Sequence, residues 1–333
     1  MDLITHVLVT YLVTLGVVGF QPQYVAAGAL AGGLPDADAL LFPLARRWPI
    51  FSHRGITHSF LGITIIAIGG ALLAPLILPG SALIYFAVFL LGGLCHIGLD
   101  AFTNYSVPPL LPFDARRISF NAERAVNLSM TVFSVASFYL LLGVERNQVA
   151  ISIYWTTIYA LSGFFFAYFG LRLALRLWLG RWKGRLGGFH DVLPTENPFV
   201  WHLFAEERTE GRLVARFGRY VAGRGLLGPY TLDVATTHTP EETGPIPDAA
   251  TALDRSFPFL QGRGRFYDDS LMFARTERTP AGGWLVLWYS VEFGVLGRWA
   301  TIEVAFPPDG ARPKVARHFR RVQLPWVQPN ATR

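Results

Sequence analysis

Seven ionisable side chains within the first hundred residues carry the chemical interest of this 333-residue chain: His6, Asp36, Asp38, His53, His58, His96 and Asp100. They lie at the edges of apolar segments. An ionisable group inside a bilayer costs roughly 2.5–3.5 kcal/mol on insertion scales, so this many must share a compensating partner. A divalent metal supplies one. His96 and Asp100 are four residues apart in an apolar, helical window, which stacks them one turn apart on one face; a hydrogen-bonded pair closing the helix is the alternative.

In the run His53-Arg-Gly-Ile-Thr-His58-Ser59 the five-residue separation is wrong for one helical face, so at least one histidine sits on a turn. Gly55 gives that turn its freedom, and Thr57 or Ser59 can cap the helix that follows. His58 is then near a helix N-terminus, where the positive dipole end favours an anion. Arg54 presents a fork of donors for a phosphate or carboxylate, or serves as an interfacial topology charge. Leu34-Pro-Asp-Ala-Asp38 follows a glycine-rich run, and Pro35 interrupts the helix there. Carboxylates at i and i+2 suit a loop in which one ligates an ion and the other ligates a second ion or acts as a base, a role we assign to Asp38. The mixed imidazole and carboxylate set suits one or two ions of zinc, with manganese or iron as alternatives.

The elements that must position these groups read as membrane helices. Hydrophobic residues make up 52% of the chain and charged residues 16%, against about 25% charged in a soluble domain. Six apolar windows, at 3–20, 24–44, 60–78, 82–99, 126–144 and 150–171, each approach the ~20 residues that a spanning helix needs. This predicts an α-helical polytopic membrane domain of about six helices, some short or broken. The first window lacks a basic leader, Asp2 being the only charge before it, and is read as a retained helix. Arginines recur after every second window, at Arg46, Arg47 and Arg54, then Arg116, Arg117 and Arg124, then from Arg172 onward. By the positive-inside rule these connections, both termini and the ionisable cluster face the cytoplasm. Because the arginines coincide with span ends, nucleic acid is not expected as a partner.

Composition changes at 180–198, GRWKGRLGG followed by a polar stretch, which is read as a linker between a membrane domain at 1–179 and a small cytoplasmic β-rich domain at 199–333. Strands are predicted at 213–221, 284–293, 300–306 and 315–324, while 223–264 has no strong periodicity. The run Trp284 to Ser290 does not alternate, so it is covered on both faces or lies on the membrane. His190, His202, His238 and His318 lack partners at ligand spacing. The single cysteine, Cys95, allows no disulfide within the chain.

The early His6, the Asp36-x-Asp38 pair, the HRGITHS run, His96-x-x-x-Asp100 and Pro112-Phe113 together resemble the YdjM-like family, LexA-binding, inner-membrane-associated metal-dependent hydrolases. The resemblance covers about residues 1–175 and implies a metal-dependent hydrolase. The order of ligands is distantly similar to that of zinc-dependent phospholipase C and P1-type nucleases. Metal-activated water acting on a phosphoester of a lipid or other amphiphile is the expected reaction, with Asp38, Arg54 and His58 as its catalytic candidates. A proton- or metal-coupled transporter and a membrane-tethered module whose C-terminal domain binds a partner are the other classes the sequence allows.

Overall fold

The computed structural model describes residues 1–41, 48, 50, 54–146, 151–260, 272–295 and 298–321. These form two compact units, Met1–Arg176 and Leu177–Arg333. The described residues hold seven α-helices: α1 (Leu3–Val18), α2 (Pro22–Gly33), α3 (Phe60–Leu73), α4 (Ala82–Phe102), α5 (Leu128–Arg146), α6 (Ile151–Trp182) and α7 (Ala249–Ser256).

Six spanning helices were expected, and the fold corrects this. Only α4 and α6, with mean hydropathies of 2.1 and 1.5, are long and apolar enough among the described residues to cross a membrane. Each lost span has a local cause. Pro35 and the two aspartates end α2 at Gly33, after 12 residues, and the chain continues as a 3-10 segment, Leu34–Leu41. At a rise of about 1.5 Å per residue, α2 reaches roughly 18 Å, short of a ~30 Å hydrocarbon layer. Helix α3 stops after 14 residues where Pro75 tightens the chain into another 3-10 turn. The apolar part of α5 is only Leu128–Gly143, and α1 has 16 residues.

The short helices pack on α4. Tyr24, Ala27 and Ala31 of α2, Ala67 of α3, and Tyr85, Val88 and Phe89 of α4 form one buried cluster. Leu8, Leu12 and Leu15 of α1 meet Met130 and Leu141 of α5 and Ile158 and Leu161 of α6 in a second. Helices α2 and α4 cross so closely that a Cβ on Gly92 would lie 2.5 Å from the Gly28 carbonyl oxygen. Such contact needs small residues on both helices. Large apolar side chains on the outside, among them Leu72, Ile77, Leu83 and Phe166, remain exposed, as lipid-facing residues do.

A buried ionic lock closes the helical unit. Both oxygens of Glu123, which follows α4, are saturated: Arg172 and Tyr168 of α6, Asn127 before α5 and the Arg124 backbone NH all donate to it. The Glu123 backbone pairs with the segment just after Asp100, since its NH donates to the Phe102 carbonyl and its carbonyl accepts from Asn104. The lock therefore holds the last turn of α4 against α6.

In the second unit two antiparallel meanders of four strands each, β1 (Asp191–Pro194), β2 (Val200–Thr209), β3 (Arg212–Val221) and β4 (Gly225–Ala235), then β5 (Met272–Arg278), β6 (Trp284–Val295), β7 (Arg298–Phe306) and β8 (Lys314–Arg321), replace the single small sheet of the sequence reading. Their inner faces share a core in which Phe204, Phe217 and Val234 meet Phe273, Trp288 and Ile302, with Ala252 of α7 included. Leu287, Trp288, Tyr289 and Ser290 are all buried, so β6 (Trp284–Val295) is covered on both faces. The stretch 180–198 contains the end of α6 and strand β1, which pairs with β2 (Val200–Thr209).

The lock gives a stability test. Arg172→Met strands the Glu123 carboxylate in an apolar bundle and is expected to destabilise the protein by about 3–5 kcal/mol, with most of the loss recovered when Glu123→Gln is added. Unfolding titrations in mixed micelles measure both, and equal loss in the single and double variants would refute the lock.

Candidate metal centre

Four elements bring the polar side chains together. His96 and Asp100 lie on the last turns of α4, His6 on the first turn of α1, Asp36 and Asp38 on the 3-10 segment after α2, and His58 on the short 3-10 turn Ile56–His58. Ser59 ends that turn and caps α3, accepting from the Gly62 NH at 3.1 Å. This settles the choice between Thr57 and Ser59. His53 lies outside the described residues.

The hydrogen bonds fix how each imidazole faces. His6 Nδ1 is 3.0 Å from the Asp2 carbonyl and His96 Nδ1 is 2.7 Å from the Gly32 carbonyl. A carbonyl only accepts, so in both rings Nδ1 carries the proton and Nε2 presents a lone pair. The His58 ring is held by side chains instead. Thr57 Oγ1 donates to Asp38 Oδ2 at 2.9 Å and lies 3.0 Å from His58 Nδ1, so the hydroxyl links imidazole to carboxylate.

The Nε2 atoms converge. His58 Nε2 is 3.4 Å from both Asp36 Oδ1 and Asp100 Oδ2, and His96 Nε2 is 3.8 and 3.6 Å from the same two oxygens. His6 Nε2 is 3.4 Å from Asp100 Oδ1, and its ring stacks on His96 with centroids 4.0 Å apart. One ligand atom each from Asp36, His58, His96 and Asp100 fit within 4.8 Å of one another. Ligands bonded at ~2.1 Å to a tetrahedral ion are about 3.4 Å apart, so the spacing fits a small divalent cation. His6 Nε2, His96 Nε2 and Asp100 Oδ2 are buried without a hydrogen-bond partner among the described residues. Buried polar atoms are normally paired; here His96 Nε2 and Asp100 Oδ2 face the point shared with Asp36 and His58, with His6 Nε2 beside it on Asp100 Oδ1, a donor set that fits a divalent cation.

Charge is balanced around this point. Arg54, at a φ of +58°, donates from Nη2 to Asp100 Oδ1 at 2.9 Å and lies over the Tyr105 ring, 4.4 Å from its centroid. The Met1 amino group contacts the same oxygen. Burial alone would raise the Asp36 carboxyl, but contact with the His58 imidazole and the nearby His96 and His6 rings outweighs it and holds it below the usual carboxylate range. Burial would lower His58, yet its contacts with Asp36 and Asp38 prevail and raise it.

Of the residues singled out in the sequence, the structure gathers His6, Asp36, His58, His96 and Asp100 around one point. Asp38 stands behind His58, its Oδ2 accepting also from the Arg54 backbone NH at 3.0 Å. Thr57 was read only as a cap, although its place beside His58 marked it. The Asp2 and Gly32 carbonyls had no signal, because every residue carries one.

Residues 1–179 match the family described as YdjM inner membrane protein. The chain belongs to the YdjM family. Neither the curated proteins nor the solved structures contain a match, so the similarity to zinc-dependent phospholipase C and P1-type nucleases is not shown. The YdjM match ends three residues before the end of α6 and spans every side chain of the centre. A membrane protein with two candidate spans agrees with that family's description.

Removing an outer partner of a metal-bound histidine typically costs about 10–100-fold in metal affinity. Asp38→Ala is expected to fall in that range, whereas His96→Ala and Asp100→Ala abolish tight binding. Chelator competition on the purified protein measures this; an Asp38→Ala loss as complete as that of His96→Ala would make Asp38 a ligand instead.

Proposed function

We propose that this YdjM family member is a membrane-bound, metal-dependent hydrolase acting on a phosphoester of a lipid or another amphiphile. The orphaned His6 Nε2, His96 Nε2 and Asp100 Oδ2 beside Asp36 and His58 carry the reading. A zinc, manganese or iron ion held there would supply a bound water with a pKa near ~7 and would polarise a phosphoryl oxygen.

The protein's own groups divide the remaining work. His58, His96, Asp100 and Asp36 form the holding set, with His6 stacked on its flank. Asp36 is 18% exposed while the other three are buried, so substrate enters on its side. Asp38 and Thr57 keep the His58 Nε2 lone pair aimed inward. Arg54 offsets the charge of Asp100, and its Nε–H, buried and without a partner among the described residues, is a donor for a phosphoryl oxygen. The arginines that follow α4, Arg116, Arg117 and Arg124, support a site that faces the cytoplasm.

Elemental analysis of the purified protein beside His58→Ala and Asp100→Ala, followed by assay against phospholipids and soluble phosphodiesters, tests the proposal. Wild type is expected to retain a divalent metal and to hydrolyse at least one substrate, and both variants to lose metal and activity together. A wild-type protein that holds no tightly bound divalent ion would overturn it.

A further inference from the structure

The segment after α4 makes an excursion that the metal centre does not use. Val107 and Ile118 exchange backbone hydrogen bonds at 3.0 and 2.8 Å and close it as a loop. Its base is rigid. Val107 is buried against Ile63, Ile97 and Ala101, and the Pro109 carbonyl accepts from the Phe60 NH at 2.9 Å, two residues from His58. Its tip is apolar and bare. Phe113 is 85% exposed and Leu110 47%, with Ile118 and Phe120 exposed beside them.

The charges of the loop are Arg116 and Arg117, both exposed, and the half-buried Asp114. Arg116 pairs with Asp114. Arg117 bonds to Ser106 through Nε and Nη2 and reaches the Arg54 carbonyl with Nη2 at 3.4 Å, so this cation stands over the residue that touches Asp100.

Position decides what the tip meets. Helix α4 has 21 residues and rises roughly 31 Å, the thickness of a hydrocarbon layer, so residues just past Phe102 emerge among lipid headgroups. An exposed phenylalanine and leucine next to arginines at that depth match a bilayer surface, with apolar groups at the acyl boundary and guanidinium on phosphate.

We propose that the 107–118 loop is a bilayer-inserted wedge, seated through Phe113 and Leu110, that draws an anionic phospholipid headgroup along Arg117 to the metal centre. Its second half, presentation of substrate, rests on the hydrolase reading; the insertion does not.

Insertion is tested with Phe113→Cys in a Cys95→Ser background, labelled with an environment-sensitive dye and reconstituted in phosphatidylethanolamine–phosphatidylglycerol vesicles. Glu210→Cys, on an exposed hairpin turn of the second unit, is the reference. The Phe113 label is expected to be quenched by shallow lipid-borne nitroxide and shielded from aqueous iodide relative to the Glu210 label. Iodide quenching equal to the reference overturns insertion, and shielding from both quenchers overturns it in favour of a protein partner. Presentation is tested on two substrates with Phe113→Ser, which should reduce hydrolysis of vesicle phospholipid by about tenfold, and Arg117→Gln, which should reduce it by about fivefold. Phe113→Ser should leave hydrolysis of a soluble phosphodiester unchanged, and an equal loss on both substrates overturns presentation. The quenching result stands even if no substrate is hydrolysed, so the two readings can fail separately.

Discussion

Burying imidazoles and carboxylates at the end of an apolar helix is the constraint around which the helical unit is arranged. Each such group loses its hydration, and the loss is tolerable only where a partner of opposite character is fixed in place. His6, His96 and Asp100 are fully buried, and the neighbouring elements all act on their surroundings. Helix α2 ends where its Gly32 carbonyl can hold His96. The turn at Ile56–His58 exists to aim one ring, and Arg54 adopts a left-handed backbone that puts its guanidinium on Asp100. Helix α2 is short because the site interrupts it.

The two buried polar systems of this unit solve the same problem differently. Glu123 is saturated by protein donors and leaves nothing for a ligand. The centre at Asp100 leaves His6 Nε2, His96 Nε2 and Asp100 Oδ2 without a protein hydrogen-bond partner among the described residues, in a place where a divalent cation could be held. The saturated system holds the incomplete one in place, through the backbone bonds between residues 102–104 and Glu123. Rigid support behind an open ligand set is what a preorganised metal centre requires.

Much of this was legible in the sequence. The i, i+4 spacing of His96 and Asp100 gave their shared face, and the five-residue gap in HRGITHS gave a turn, because helical geometry alone dictates both. The predicted strands at 213–221, 284–293, 300–306 and 315–324 correspond to β3, β6, β7 and β8. Strands β1, β2, β4 and β5 were missed: β4 carries Gly225, Gly228 and Pro229 in a stretch without periodicity, and its pairing with β3 overrides that weak signal. Membrane spans were overcounted because a hydropathy window sees Leu, Ile and Ala but not the Pro35 or Pro75 that ends a helix within it. Asp38 was indistinguishable from Asp36 by type, and only the Thr57 hydroxyl between it and His58 separates their places.

The three imidazoles differ in what fixes them, and this bears on how such a centre can vary among related chains. His6 and His96 are held by main-chain carbonyls, which no change of side chain at residue 2 or 32 can delete. His58 alone is held through side chains, those of Thr57 and Asp38. Mutational drift therefore has one adjustable screw in the centre: substitutions at 38 and 57 can alter the basicity and aim of a single ligand while two others stay fixed. Variation that retunes the centre would be concentrated at those two positions.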